Sequence, residues 1–169
     1  PPDTVTGAAF NRRYWYLGRW IYHGDCYPDR ALRLFRRGVG RWGGAMEHDV
    51  IELADGKTVR LKGDLLHYSF PTLSVQVNKI DYFAELFRKR KQLEGKRPNT
   101  AEAAFRSWYR FFRGYVLKLG FLDGFPGYMI ARTNGYQTLV RYAKLYEDAH
   151  NRPPPPDRDT AADPPPDEG

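Results

Sequence analysis

Apolar and polar residues alternate through the first part of the chain, and the period lengthens after Pro71. Ala31-Leu32-Arg33-Leu34-Phe35-Arg36 alternates in its first positions and predicts a strand. Val50-Ile51-Glu52-Leu53 and Thr58-Val59-Arg60-Leu61 flank Asp55-Gly56, a dipeptide suited to positive φ, and predict two strands joined by a tight hairpin turn. Leu65-Leu66-His67-Tyr68-Ser69-Phe70 predicts a further strand, stopped by Pro71. Beyond it, Leu73, Val77, Ile80, Ala84 and Phe87 recur three or four apart and form one face of a helix, which Gly95 and Pro98 end. Asn99 and Glu102 make an approximate capping box for a second helix. Its apolar positions Phe105, Trp108, Phe112, Val116 and Leu119 are interleaved with Arg106, Arg110, Arg113 and Lys118. Gly120 to Gly127 is a glycine-punctuated connector, and a third helix is expected from near Pro126 to about Glu147, proline being well placed in a first turn. The chain thus divides into a strand-and-loop region (1–70), a helical region (71–150) and a tail (151–169). The tail, rich in proline and aspartate with almost nothing to bury, is expected to be disordered or polyproline-like.

With 169 residues, 41% of them hydrophobic and 15% aromatic, the chain can bury a core. Its net charge of +7 favours anionic partners, and because the tail is acidic the folded region is more basic than the total. Cys26 is the single cysteine, which excludes an internal disulfide and fits a reducing compartment. The start of the chain has no basic-then-apolar leader, and no stretch approaches the ~18 apolar residues of a membrane span. A soluble or peripheral protein is expected. The aromatics and cations of the last two helices fit either a solvated basic face opposite an aromatic core or a helix pair lying at a membrane interface.

Candidate chemistry is densest between Tyr27 and Glu52. Trp42-Gly43-Gly44 is followed by Glu47-His48-Asp49 and then Glu52. A carboxylate beside a histidine in a glycine-flanked loop can act as a general base toward a substrate hydroxyl, or can simply form a local hydrogen bond. Arg33, Arg36 and Arg37 can clamp phosphate or protect a strand edge, and alternation puts Arg33 and Arg37 on one face with Arg36 on the other. His67, in Leu66-His67-Tyr68, is either a satisfied core residue or a metal ligand needing carboxylates from elsewhere. The chain has no phosphate-binding Walker loop, dinucleotide glycine fingerprint or serine-nucleophile elbow.

The order of whole segments is more specific than any one of them. Arg12-Arg13-Tyr14-Trp15-Tyr16-Leu17-Gly18-Arg19-Trp20-Ile21 comes first, then Tyr27-Pro28-Asp29 and Arg33-Leu34-Phe35-Arg36-Arg37. Trp42-Gly43-Gly44, His48-Asp49 with Glu52-Leu53, and Leu61-Lys62-Gly63-Asp64-Leu65-Leu66-His67-Tyr68-Ser69 follow. Tyr115-Val116-Leu117-Lys118-Leu119-Gly120-Phe121-Leu122-Asp123-Gly124 and Arg141-Tyr142-Ala143-Lys144-Leu145 close the series. In this order they resemble the C-terminal part of family 2 glycosyltransferases, the lipopolysaccharide-core β-glucosyltransferase type, over roughly Phe10 to Glu147.

The resemblance implies an α/β fold, part of a GT-A fold whose nucleotide-binding half is missing, with residues 1–70 as the acceptor and base side of the catalytic domain. It implies Asp49, beside His48, as general base in an inverting transfer of a sugar, glucose from UDP-glucose at family level. The acceptor would be lipopolysaccharide core or another glycolipid. Arg33 and Arg36 are implied as phosphate contacts, Tyr27, Trp42 and Gly43 as substrate contacts, and His67 as a residue near the end of the catalytic sheet and a candidate metal ligand. A divalent metal, Mg or Mn, and no organic cofactor is expected of the complete enzyme. The expected location is cytoplasmic, on the anionic inner face of the bacterial inner membrane. Two departures accompany the likeness: Met46-Glu47 stands where relatives carry Asn-Pro or Val before the histidine, and no Asp-x-Asp metal motif precedes Phe10. The chain by itself is therefore expected to be inactive. The alternative is a non-enzymatic basic, aromatic module binding anionic lipid or nucleic acid, although no recognisable nucleic-acid motif is present.

Overall fold

The computed structural model describes residues 5–43 and 50–151. Six strands precede three helices: β1 (Val5–Tyr16), β2 (Arg19–Trp20), β3 (Asp29–Phe35), β4 (Gly40–Gly43), β5 (Val50–Leu53), β6 (Lys57–His67), α1 (Leu73–Leu93), α2 (Thr100–Phe112) and α3 (Gly124–His150). Short turns of tighter or wider helix occupy Gly24–Cys26, Arg113–Leu117 and Gly120–Asp123. The architecture is mixed α/β, as expected from the change of period.

β1 is the centre of the sheet. It pairs antiparallel with β3, parallel with β6, and through Trp15 and Tyr16 with β2. Its sequence shows no clean alternation, because Gly7, Ala8 and Ala9 share the strand with Arg12 and Arg13. Leu17 and Gly18, with φ of 45° and 82°, make the tight turn into β2, the backbone conformation that two-residue hairpins favour.

The hairpin expected around Asp55-Gly56 does not form. Gly56 has positive φ (97°), and Asp55 is held by the Thr6 hydroxyl, which donates to its carbonyl at 2.7 Å. The turn instead separates β5, paired with β4, from β6, paired with β1. A dipeptide fixes the local turn, but the edges available elsewhere decide the pairing. The further strand expected at Leu65–Phe70 is the end of β6, which runs unbroken to His67.

Two bulges bear on the candidate residues. In β3 the register steps from Leu34 to Leu32 opposite Ala8 and Ala9, leaving Arg33 as the extra residue. β3 ends at Phe35, so the predicted alternation of Arg33, Arg36 and Arg37 along one strand is lost. In β6 the register steps from Arg60 to Asp64 opposite Ala9 and Asn11, and Gly63 takes φ 95°. That conformation suits glycine, and the bulge directs Asp64 back against the sheet.

α1 begins at Thr72, whose hydroxyl accepts from Val75 N–H at 3.3 Å, and ends before Gly95. Ile80, Ala84 and Phe87 of its predicted face are buried, whereas Leu73 and Val77 are exposed. Tyr16 donates to the Gln76 side chain and so ties β1 to α1. Tyr16, Ile21 and Ile130 form the core where sheet and helices meet, with Tyr14, Cys26, Phe70 and Met129 around them. Burial, reinforced by Asp25 and Asp29, pushes the Cys26 thiol up to about 12.

α2 departs most from expectation. The Asn99 cap forms, accepting from Glu102 N–H at 3.0 Å, but the Glu102 carboxylate turns to Arg106 (2.7 Å) rather than back to the cap. The helix proper ends at Phe112. Its predicted apolar face is not a core face: Phe105 is 62% exposed and Trp108 57%. α2 meets α3 through smaller groups. Ala103 is buried, and the Ser107 hydroxyl donates to the Gly135 carbonyl at 2.9 Å. A Cβ on Gly135 would stand 3.0 Å from the Ser107 carbonyl oxygen. Close helix approach needs small residues, so the bulky aromatics point outward.

The same economy of space governs the connector into α3. A Cβ on Gly120 would lie 2.6 Å from the Gly114 carbonyl oxygen, and one on Gly127 would overlap the Gly120 carbonyl. Beside this seam the Asp123 carboxylate, 1% exposed, accepts from the backbone N–H groups of Tyr22 (3.0 Å) and His23 (2.7 Å). It clamps the strand region to the helices.

Two outcomes are expected. Gly127→Ala should destabilise the fold by roughly 2–3 kcal/mol or more, as overpacking against rigid backbone does, read as a lower urea midpoint with unchanged slope. The second concerns acid. Glu85 bonds to Arg88, which also holds Asp148 (2.8 Å) across α1 and α3, and the hydrogen bond from Arg88 lowers the Glu85 pKa to about 2. A depressed carboxylate pKa contributes stability above its unfolded value of about 4.5, lost as pH falls toward about 2. Glu85→Gln should therefore melt below the parent chain at neutral pH, with the gap closing between about pH 4.5 and 2; a gap independent of pH would contradict the linkage.

Candidate functional site

Tyr27, implied as a substrate contact, packs its ring against Tyr22 and donates to Asp64 Oδ1 at 3.4 Å. Asp64, placed by the β6 bulge, is also gripped by Arg13, whose guanidinium lies 4.6 Å over the Tyr22 ring. The Lys62-Gly63-Asp64 segment therefore builds a charged, aromatic knot with Arg13, Tyr22 and Tyr27.

A second group is built on Asp29. Arg12 pairs with it at 2.6 Å and the Tyr14 hydroxyl donates to it at 2.6 Å. Burial first, then the bond to Asp29, raises the Tyr14 pKa. His67 meets the Tyr14 ring edge-on at 4.8 Å. Its pKa lies below the ordinary histidine value, through burial and the cations Arg12, Arg33 and Lys79. The exposed Arg33 donates to the Leu32 carbonyl at 3.1 Å. Among the described residues no group of three or more His, Cys, Asp or Glu side chains is placed to hold a metal ion.

Trp42 and Gly43 sit on the two-stranded β4–β5 ribbon. Trp42 is 68% exposed. Gly43 lies beneath the Glu52 carboxylate, where a Cβ would be 2.5 Å from its carbon, and Arg41 pairs with Glu52 at 3.1 Å. His48 and Asp49 lie outside the described residues; they precede Val50, which pairs with Gly43. Arg36 is exposed just past β3, its N–H donating to the Thr6 carbonyl at 3.0 Å.

The arrangement that sequence reasoning missed lies in the helical layer. α1 and α2 flank α3 and leave a cleft of about 660 Å³, which Tyr14 and Phe70 also line. Arg106, Arg110, Arg113 and Arg141 line it, with Phe83, Tyr109 and Tyr142 as aromatic walls and Asn134 and Gln137 on the α3 side. Arg110 (3.2 Å), Arg113 (2.7 Å) and Lys118 (3.0 Å) converge on Asp25, whose side chain is 3% exposed. Three cations thus share one nearly buried carboxylate, which leaves the cleft wall positive. The i, i+4, i+7 spacing of Arg106, Arg110 and Arg113 was the available signal. Across α3 a second groove of about 630 Å³ is apolar, lined by Leu73, Val77, Trp108, Phe111, Tyr136 and Leu139 among others.

No helix among the described residues is long and apolar enough to cross a membrane. No described family's sequence profile matches the chain, and no solved structure matches it. The chain is similar to a curated protein of Rhizobium meliloti, "Lipopolysaccharide core biosynthesis glycosyltransferase LpsC": 27% of residues are identical over 147, covering 86% of this chain and 54% of that protein. The chain spans about half the length of this distant relative, which supports a glycosyltransferase relationship in general terms.

Proposed function

We propose that the chain is the acceptor-side part of an inverting glycosyltransferase of family 2 type with a partial GT-A fold. In this proposal it moves a sugar from a nucleotide-diphosphate donor, UDP-glucose, onto lipopolysaccharide core or a related glycolipid. The observation that carries this is the likeness to a lipopolysaccharide-core glycosyltransferase over 86% of the chain, a stretch long enough to take in both strand and helical regions.

Asp49, beside His48 and next before Val50 in the sequence, takes the proton from an acceptor hydroxyl. That oxygen attacks the anomeric carbon from the face opposite the diphosphate, the bond to the diphosphate breaks, and the configuration inverts. Arg33 and Arg36 contact phosphate, and Tyr27, Trp42 and Gly43 contact substrate. The described residues do not suit a metal: His67 lies in the field of Arg12, Arg33 and Lys79, and no ligand cluster surrounds it. No step is therefore routed through a metal ion; the divalent ion and the donor are assigned to a nucleotide-binding half working with this chain.

The outward apolar side chains Phe105, Trp108, Leu122 and Phe125, with Lys118 and Arg132 also exposed, support a peripheral position on an anionic membrane at the cytoplasmic side. The alternative module reading shares this feature and differs by lacking turnover.

In an enzyme that carries this chain together with a nucleotide-binding half, Asp49→Asn should lower transfer of labelled glucose by roughly 10²–10⁴-fold, with donor binding unchanged. Undiminished turnover would remove Asp49 from the mechanism. Vesicles containing phosphatidylglycerol should float the chain, and Trp108→Glu with Phe125→Glu should weaken flotation several-fold; a parent chain that stays at the bottom of the gradient rules out the membrane position. A steep salt-dependent affinity for RNA or DNA in filter binding would instead favour the basic module.

A further inference from the structure

We propose that the arginine-lined cleft between α1, α2 and α3 binds an anionic saccharide, a sugar bearing phosphate or carboxylate, and so holds the acceptor. The choice of acceptor as occupant rests on the sugar-transfer proposal; the chemistry of the cleft does not.

Three properties of the cleft converge on this ligand class. Its volume of about 660 Å³ falls within the roughly 300–1,000 Å³ typical of small-ligand sites. Its cationic side is preorganised. Arg110 and Arg113 are held in place by Asp25, yet that single carboxylate is shared with Lys118 and leaves positive charge over. Guanidinium groups so fixed present paired N–H donors of the geometry that phosphate and carboxylate accept. Arg106, held by Glu102 one turn earlier, extends the row.

The remaining lining matches a sugar better than a bare anion. Tyr109 and Tyr142 offer ring faces, and Asn134 and Gln137 offer amides that both donate and accept, as ring hydroxyls require. A lipid surface fits poorly, because the cleft is walled by helices on both sides, while the exposed aromatics Phe105 and Trp108 occupy another face of α2.

The cleft also continues from the sheet. Tyr14 lines it and bonds to Asp29, and its ring meets His67, the last residue of β6. A saccharide seated among the arginines would lie against the strand region that precedes the helices in the chain.

Calorimetric titration of the full chain tests this with glucose 6-phosphate, glucuronate, glucose, inorganic phosphate, UDP and phosphatidylglycerol vesicles as separate probes. Either anionic sugar should bind at least tenfold more tightly than glucose and than inorganic phosphate. Arg106→Gln and Tyr109→Ala, both partly exposed and outside the core, should each weaken that binding at least fivefold with little change in melting temperature. Equal binding of inorganic phosphate, tighter binding of UDP, vesicle binding lost on Arg106→Gln, or no sugar binding at all would each overturn the proposal. Transfer activity in the enzyme with its nucleotide half is read separately: binding without transfer removes the transferase role and keeps the cleft, and transfer without binding does the reverse.

Discussion

The backbone of Gly127 lies so close to the carbonyl of Gly120 that no side chain fits between them, and Gly120 lies similarly against Gly114. This contact is where the turn after α2 folds onto the start of α3. Gly24 joins it by donating its N–H to the Lys118 carbonyl at 2.9 Å. Two carboxylates flank the seam. Asp123 is held by backbone N–H groups and by Arg19 (3.6 Å) from the strand region, and Asp25 by cations from the helical region. Each reaches across the boundary between the two, so the seam joins sheet and helices by backbone proximity and buried charge, beside the apolar core of Tyr16, Ile21 and Ile130. A nearly buried carboxylate is costly unless it is paired, which explains why so many donors gather on these two.

This way of joining the parts shapes the surface. Because α2 approaches α3 through Ala103, Ser107 and Gly135, its large side chains have no core to enter. Aromatics then crowd one exposed side, where Trp108 stacks on Phe112 with ring centroids 5.3 Å apart. Arginines line the other. One helix can therefore offer an apolar surface to a bilayer and a cationic wall to a solute, which makes the two functional proposals compatible within a single packing arrangement.

The strand region shows a related division of labour. The β6 bulge spends two residues to bring Asp64 to Arg13 and Tyr27, and the β3 bulge releases Arg33 from the ladder. Irregularities in register, rather than the regular ladder, set the positions of the polar groups nearest the proposed substrate contacts. The β4–β5 ribbon carries Trp42 and Gly43, with Gly43 paired to Val50.

What the sequence determined by itself was local. Period, caps and breakers were enough to place α1, α2 and α3, the Asn99 cap, the strand at β3 and the turn at Asp55-Gly56, because each depends on neighbours a few residues apart. The order of short segments also pointed toward sugar transfer, in keeping with the distant likeness. Tertiary structure alone decided which strands pair, why β1 with its irregular pattern becomes central, and which face of α2 is buried. Those outcomes turn on contacts such as Thr6 with Asp55, Ser107 with Gly135 and Asp25 with Arg113, between residues 28 to 88 positions apart. No local window contains both partners of such a contact, so hydrophobic periodicity could show that α2 had an apolar face but not that a row of small residues would take its place in the core.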